Sequence, residues 1–267
     1  MMIDFSDDGL PEDNLHFATD GHSDGIISFN LPNGKTIHAE QATAGEGLGT
    51  GVVTWQSATA LATALTNSTD YSQLEGKRVI ELGCGCAALP ALVAASCGAA
   101  LVVATDIPAM MPLLERNLQK YASVEETLSD RLTFQALDWT SHEHLGQIAH
   151  GAPYDLVLCA DCIDESERML PHLVDAICAS LDSSGTALVA TGYRSQRLMD
   201  VFLSALRRRC LVVNEFTERL TPLLATTRRS EDATRFFAVR WPTLEVALQD
   251  RARGEVSRLA SSDLPVG

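Results

Sequence analysis

The chain has 267 residues, 46% of them hydrophobic, and its 35 acidic and 20 basic side chains leave a formal charge of -15 at pH 7. That length and apolar content suit one large α/β core, and the acidic balance argues against a surface that neutralises nucleic-acid phosphates. No run of about 18 apolar residues offers a membrane span, and the amino terminus carries aspartates where a secretory signal needs a basic and then an apolar region. The expectation is a cytoplasmic protein, with a nuclear location also compatible, that engages neither membrane nor nucleic acid.

Asp4, Asp7, Asp8, Glu12, Asp13, Asp20 and Asp24 crowd a stretch without Lys or Arg, so residues 1–24 read as an acidic flexible tail. Ile26 to Leu31 and Lys35 to Glu40 flank Pro32-Asn33-Gly34, which predicts a small hairpin. A glycine loop from Ala44 to Gly51 leads to an alanine-rich helix over Trp55 to Leu65. Strands are then expected at Arg78 to Leu82, Leu101 to Thr105, Leu132 to Leu137, Leu156 to Ala160 and Ala187 to Thr191. They are near-continuous apolar runs, as in parallel strands covered on both faces. Helices fall between them at Ala88 to Cys97, Met110 to Tyr121, His142 to Ile148 and Glu165 to Leu181. A helix at Gln196 to Arg209 precedes Leu211 to Phe216 and Arg235 to Trp241, which lack a helical pattern between them and are expected to pair antiparallel. Residues 25–241 thus read as one domain with an amino-terminal hairpin, and 242–267 as a terminal helix and tail.

Leu82-Gly83-Cys84-Gly85 follows an apolar strand, and Ala104-Thr105-Asp106 ends the next one about twenty residues later. Glycine lets backbone approach a ligand where a side chain would block it, and a carboxylate at the second strand's end can accept both hydroxyls of a ribose. A nucleoside cofactor follows. Gly83-Cys84-Gly85-Cys86-Ala87-Ala88 also fits the G-x-G-x-x-A dinucleotide fingerprint, so an NAD(P)-dependent oxidoreductase stays open at this point. Cys84-x-Cys86 and Cys159-x-x-Cys162 have the residue types of a four-thiolate zinc site, but they sit in apolar strand contexts, and reduced buried thiols are the expectation, with no metal. Arg207 to Arg209 close a helix and suit its dipole.

Five parallel strands followed by an antiparallel pair is the layout of class I methyltransferases. More specific segments agree in order: Gly49-Thr50-Gly51 with Trp55-Gln56-Ser57-Ala58, Gly76 to Gly85, Ala104-Thr105-Asp106, Leu137-Asp138-Trp139, and Tyr154 to Asp161. On these residues the chain resembles the seven-β-strand protein-lysine methyltransferase family related to the chaperone and translation-factor methyltransferases. The resemblance implies a Rossmann-like seven-stranded sheet with helices on both faces. It also implies S-adenosyl-L-methionine as cofactor and a protein substrate presenting a lysine.

By the same resemblance, the backbone of Gly83, Cys84 and Gly85 would approach the methionine part, whose carboxylate the amino end of the next helix would favour. Asp106 would hold the ribose, Trp139 would lie against adenine, and Asp138 would accept from its exocyclic amine. Trp55 would close the amino-acid end, Ala160 would offer its carbonyl to the ammonium, and Glu81 would orient the loop. Asp161 and Asp164 are the candidate acceptor-channel residues, and no catalytic residue is assigned. Where the family has [D/E]-x-x-[Y/F], this chain has Asp161-Cys162-Ile163-Asp164. An acid in place of the aromatic leaves three readings: an altered lysine site, another acceptor such as a histidine, amine or small molecule, or an inactive interaction module that retains the fold.

Overall fold

Pro32-Asn33-Gly34 turns the chain between β1 (Ile26–Asn30) and β2 (Thr36–Glu40), which pair antiparallel with Ser28 opposite His38. The computed structural model describes residues 25–42, 49–67, 74–151, 153–163, 166–192, 195–209, 211–216 and 234–242. The expected acidic tail, most of the glycine loop, the terminal helix and Asp164 lie outside the described residues.

After α1 (Gln56–Asn67), strands and helices alternate: β3 (Arg78–Leu82), α2 (Leu89–Ser96), β4 (Leu101–Asp106), α3 (Met111–Val124), α4 (Thr127–Arg131), β5 (Leu132–Ala136), α5 (His142–His150), β6 (Tyr154–Ala160), α6 (Leu170–Ser180) and β7 (Leu181–Gly192). They are followed by α7 (Gln196–Arg208), β8 (Val212–Glu215) and β9 (Thr234–Arg240). The large sheet has the order β5-β4-β3-β6-β7-β9-β8. β3 to β7 are parallel, while β9 runs antiparallel to both β7 and β8 and lies between them. The predicted α/β class and closing antiparallel pair are therefore present.

Alternate residues of each strand supply two cores, because successive strand side chains point to opposite faces. Val79, Leu156, Leu158 and Leu188 join the layer of α1, α2 and α3, whereas Ile80, Val157, Val189 and Phe237 join that of α6 and α7. α2 is buried from Leu89 through Ala95, which explains its uniformly apolar sequence. The hairpin docks on α3 through Asn117, whose Oδ1 accepts from Glu40 N at 2.7 Å while its Nδ2 donates to the carbonyls of Glu40 and Cys86 at 3.0 and 2.8 Å. This one buried amide ties the hairpin to the glycine turn.

Two boundaries differ from the expectation. The helix expected from Glu165 begins at Leu170 after a 3-10 turn over Glu167–Met169, and Pro171 occupies its first turn, where a missing N–H costs nothing. β7 begins at Leu181, where the helix was expected to end. A register shift lies between Tyr154 and Leu156 on its partner strand, and Gly185 permits close contact there: a Cβ would stand 2.8 Å from the Tyr154 carbonyl oxygen. The short α4 has too few apolar residues to announce itself in the sequence.

Candidate cofactor site

β3 lies between β4 and β6, so the chain moves outward through β4 and β5 and then crosses back to β6. Such a reversal opens a crevice at the carboxyl ends of the strands, the usual ligand position in doubly wound sheets. The ends of β3, β4, β5 and β6 carry Gly83 to Gly85, Asp106, Asp138-Trp139 and Ala160-Asp161, respectively.

Gly83 and Gly85 both adopt positive φ, at 65° and 62°. A Cβ at Gly83 would stand 3.0 Å from Cys162 Sγ and 3.1 Å from Trp139 Cζ2, and one at Gly85 would stand 3.2 Å from the Gly51 carbonyl oxygen. Conformation and space thus require glycine twice. Between them, Cys84 N donates to the Thr105 carbonyl at 2.9 Å and Cys86 N to the Gly51 carbonyl at 2.8 Å. The latter bond brings Gly51 over the turn, where a Cβ on it would press on Met110 Cε at 3.2 Å.

Asp106 accepts from Gly85 N through Oδ2 and from Ile107 N through Oδ1, each at 2.8 Å. Burial pushes its pKa up, and these two backbone N–H groups pull the other way. A carboxylate has about four acceptor sites. The two N–H groups use two and leave capacity for the two hydroxyls of a ribose. The next residue, Ile107, is 40% exposed and Trp55 is 38% exposed, although both are large and apolar. The Trp55 indole N–H donates to the Thr50 carbonyl at 3.0 Å, which fixes the ring to the loop that covers Gly85.

Glu81 is 1% exposed, and its Oε2 accepts from Ala91 N at 2.9 Å. α2 begins at Leu89 with left-handed Ala88 before it, a residue with no side-chain oxygen, so Glu81 caps the first turn from the neighbouring strand. Desolvation pushes the Glu81 carboxyl well above its ordinary range. This arrangement corrects one expectation. The amino end of α2 is not open to a ligand carboxylate, because Ala88 and Leu89 are buried and the Ala91 donor is already used.

Trp139 is partly buried against the α6 and α7 core, with its ring edge on Gly83. Asp138 Oδ1 accepts from Thr140 N at 2.8 Å and Thr140 Oγ1 at 2.7 Å, bonds that hold its carboxyl below the usual carboxylate range. Those bonds commit one oxygen of Asp138 to its own turn. At the end of β6, Cys162 Sγ donates to the Leu82 carbonyl at 3.0 Å and lies 3.6 Å from that of Ala160. Asp161 has φ 57°, and its Oδ1 accepts from Gly192 N at 3.1 Å, which joins the turn to β7.

The four cysteines singled out in the sequence divide between the two cores: Cys84 and Cys86 pack in one, Cys159 in the other, and Cys162 lies partly buried against the latter. Burial raises the pKa of Cys84 and Cys86, the latter to about 11, which disfavours the thiolate that zinc requires. Among the described residues, no group of three or more His, Cys, Asp or Glu is arranged to hold a metal ion. No helix among them is long and apolar enough to cross a membrane.

Residues 33–209 match the family described as lysine methyltransferase. The chain belongs to that family. Protein N-terminal and lysine N-methyltransferase efm7 of Neurospora crassa is 30% identical over 192 residues, covering 64% of this chain and 67% of that protein. The methyltransferase domain of bacterial-CtHen1-CN is 12% identical with a TM-score of 0.50, covering 68% of this chain and 99% of that chain. Precorrin-6y C5,15-methyltransferase from Geobacter metallireducens GS-15 is 15% identical with a TM-score of 0.46, covering 76% of this chain and 93% of that one. At 12% identity the likeness to the CtHen1 domain speaks for the fold alone. Family membership and the antiparallel β9 make the chain an S-adenosylmethionine-dependent methyltransferase and set the oxidoreductase alternative aside.

The structure brings Gly83, Cys84, Gly85, Asp106, Trp139 and Ala160 to one crevice, with Trp55 on the loop beside it. Sequence reading missed Ile107, Cys162 and the Gly51 contact. Ile107 was legible in part, as an apolar residue directly after the strand-ending carboxylate. The contacts of Cys162 and Gly51 depend on packing between elements 80 and 35 positions apart and leave no local signal.

Proposed function

We propose that this crevice binds S-adenosylmethionine and that the methyl group passes to a lysine side chain of a protein substrate that enters past Asp161. The observation that carries the reading is Asp106: a half-buried carboxylate at a strand end, bound by two backbone N–H groups, with acceptor capacity left for a ribose. The cofactor supplies an electrophilic methyl on a sulfonium. Its neutral ribose and adenine and its zwitterionic tail call for close backbone and acceptors rather than for lysines, and this donor set fits that need.

In this reading, Gly83, Cys84 and Gly85 give backbone access to the methionine part, and Asp106 orients the ribose. Trp139 and Ile107 offer apolar surface to the adenine, and the Ala160 carbonyl keeps a lone pair for the ammonium beside the Cys162 thiol. Trp55 covers the amino-acid end and helps exclude water. Methyl transfer is an in-line displacement, so the gain comes from alignment of nucleophile and methyl. A lysine must first lose its proton, against an ordinary pKa of about 10.4. The Asp161 carboxylate would attract the ammonium, and desolvation on docking would then favour the neutral amine. The name of the Neurospora relative includes amino-terminal methylation, and an α-amine is the second acceptor this site suits. Labelled methyl transfer into a lysate, followed by mass spectrometry of the product, tests the reading. Methyl-lysine is the expected product, and its absence with an active enzyme refutes lysine as the acceptor.

A further inference from the structure

The Asp138-Trp139 loop is held by a histidine that neither the motifs nor the family match draws attention to. Asp138 N lies 3.0 Å from His144 Nδ1, and a backbone N–H can only donate, so this ring nitrogen accepts and carries no proton. The same histidine sits in the first turn of α5, where its own N–H donates to the N-cap Ser141 Oγ at 3.3 Å. Ser141 N in turn donates to the Asp138 carbonyl at 3.0 Å, and Leu137 N to the Asp106 carbonyl at 2.7 Å. The chain from Asp106 to α5 is thus closed by one imidazole, and Trp139, with its ring edge on Gly83, lies inside the closed segment.

We propose that His144 is a positioning residue for cofactor binding: its neutral imidazole holds the Asp138-Trp139 loop against the glycine turn, and protonation releases it. The inference rests on the assignment of this crevice to S-adenosylmethionine. A protonated ring would set an N–H against the Asp138 N–H, so the loop must move or the ring must rotate away. The titratable groups around His144 are the Asp138 carboxylate, His172 from α6, which lies within electrostatic reach of that carboxylate, and His142 and Glu143, which are exposed on α5 itself.

The test is calorimetric titration with S-adenosylhomocysteine at about pH 8 and about pH 5.5, on the full chain and on His144→Asn and His144→Leu. Asparagine Oδ1 stands as many bonds from Cβ as histidine Nδ1 and accepts a hydrogen bond without titrating. The parent chain should bind about tenfold more weakly at the lower pH, the scale of one half-buried donor left unmatched. His144→Leu should bind about tenfold more weakly at both pH values, and His144→Asn should restore binding and flatten the pH dependence. A pH dependence that persists unchanged in His144→Asn overturns the proposal, as does parent-like binding by His144→Leu. If His144→Leu melts before binding can be measured, the His144→Asn profile still decides. Failure of the parent chain to bind at the higher pH refutes the assignment of the crevice, and the inference with it, whereas binding without the pH effect refutes the inference alone.

Discussion

The ends of β3 and β4 and the end of β6 face one another across the same crevice and are built in opposite ways. At β3 and β4 the geometry is made by backbone: two glycines at positive φ, a carboxylate held by two N–H groups, and carbonyls from Gly51 and Thr105 that fix the turn. At β6 it is made by side chains on a turn, with Asp161 in the left-handed region and Cys162 reaching across to Leu82. A backbone cradle fixes the class of ligand and tolerates little change. A side-chain turn can change without disturbing that cradle.

The sharpest break of that contrast is Gly83→Arg. It should abolish detectable S-adenosylhomocysteine binding, because even a Cβ meets Cys162 and Trp139, and the left-handed backbone alone costs a non-glycine residue about 1–2 kcal/mol. Retained binding in a folded Gly83→Arg chain would remove the cradle from the site. Next is Asp161→Asn, which keeps an acceptor for Gly192 N and tolerates positive φ. Methyl transfer should fall by about tenfold or more, in the range of a lost charged contact to the acceptor, with S-adenosylhomocysteine affinity unchanged. A matched loss of affinity would place Asp161 on the cofactor side instead.

Glu81→Gln separates structure from charge. Burial raises the folded-state pKa of Glu81 above its unfolded value, so the stability gained by the protonated form is full below the unfolded pKa and is lost as pH rises through the folded one. Glutamine retains an acceptor for Ala91 N and does not ionise. Its Tm should therefore exceed the parent's by a margin that widens as pH rises above the ordinary carboxyl range, and a constant margin would show that ionisation of Glu81 plays no part. The smallest effect is expected from Ile107→Ala, about threefold to tenfold weaker binding, the worth of a partly covered apolar side chain.

The fold was legible because its signals are local. Continuous apolar runs mark β3 to β7, Pro32-Asn33-Gly34 marks the hairpin, and the want of a helical sequence pattern between the last two strands marks β9 as antiparallel. Where the reading slipped, the cause was tertiary: β7 extends back to Leu181 because Gly185 can lie against Tyr154, and α6 starts late because Pro171 fits only a first turn. The site divides in the same way. Gly83, Gly85 and Asp106 were readable because each is demanded by backbone geometry within one β-α-β unit. Cys162 on Leu82 and His144 on Asp138 were not, since hydrogen bonds between side chain and backbone of separate elements carry no period or motif. The cap role of Glu81 was visible only once Ala88 proved to be the N-cap.

In the proposed reading the carboxylate of Asp106 and the glycine turn beside it form the S-adenosylmethionine site. Calorimetric titration of the intact chain and of Asp106→Ala with S-adenosylhomocysteine tests it most directly. The intact chain should show saturable one-to-one binding, weakened at least about tenfold in Asp106→Ala by the loss of charged hydrogen bonds to the ribose. No binding by the intact chain, or equal binding by both, would contradict it.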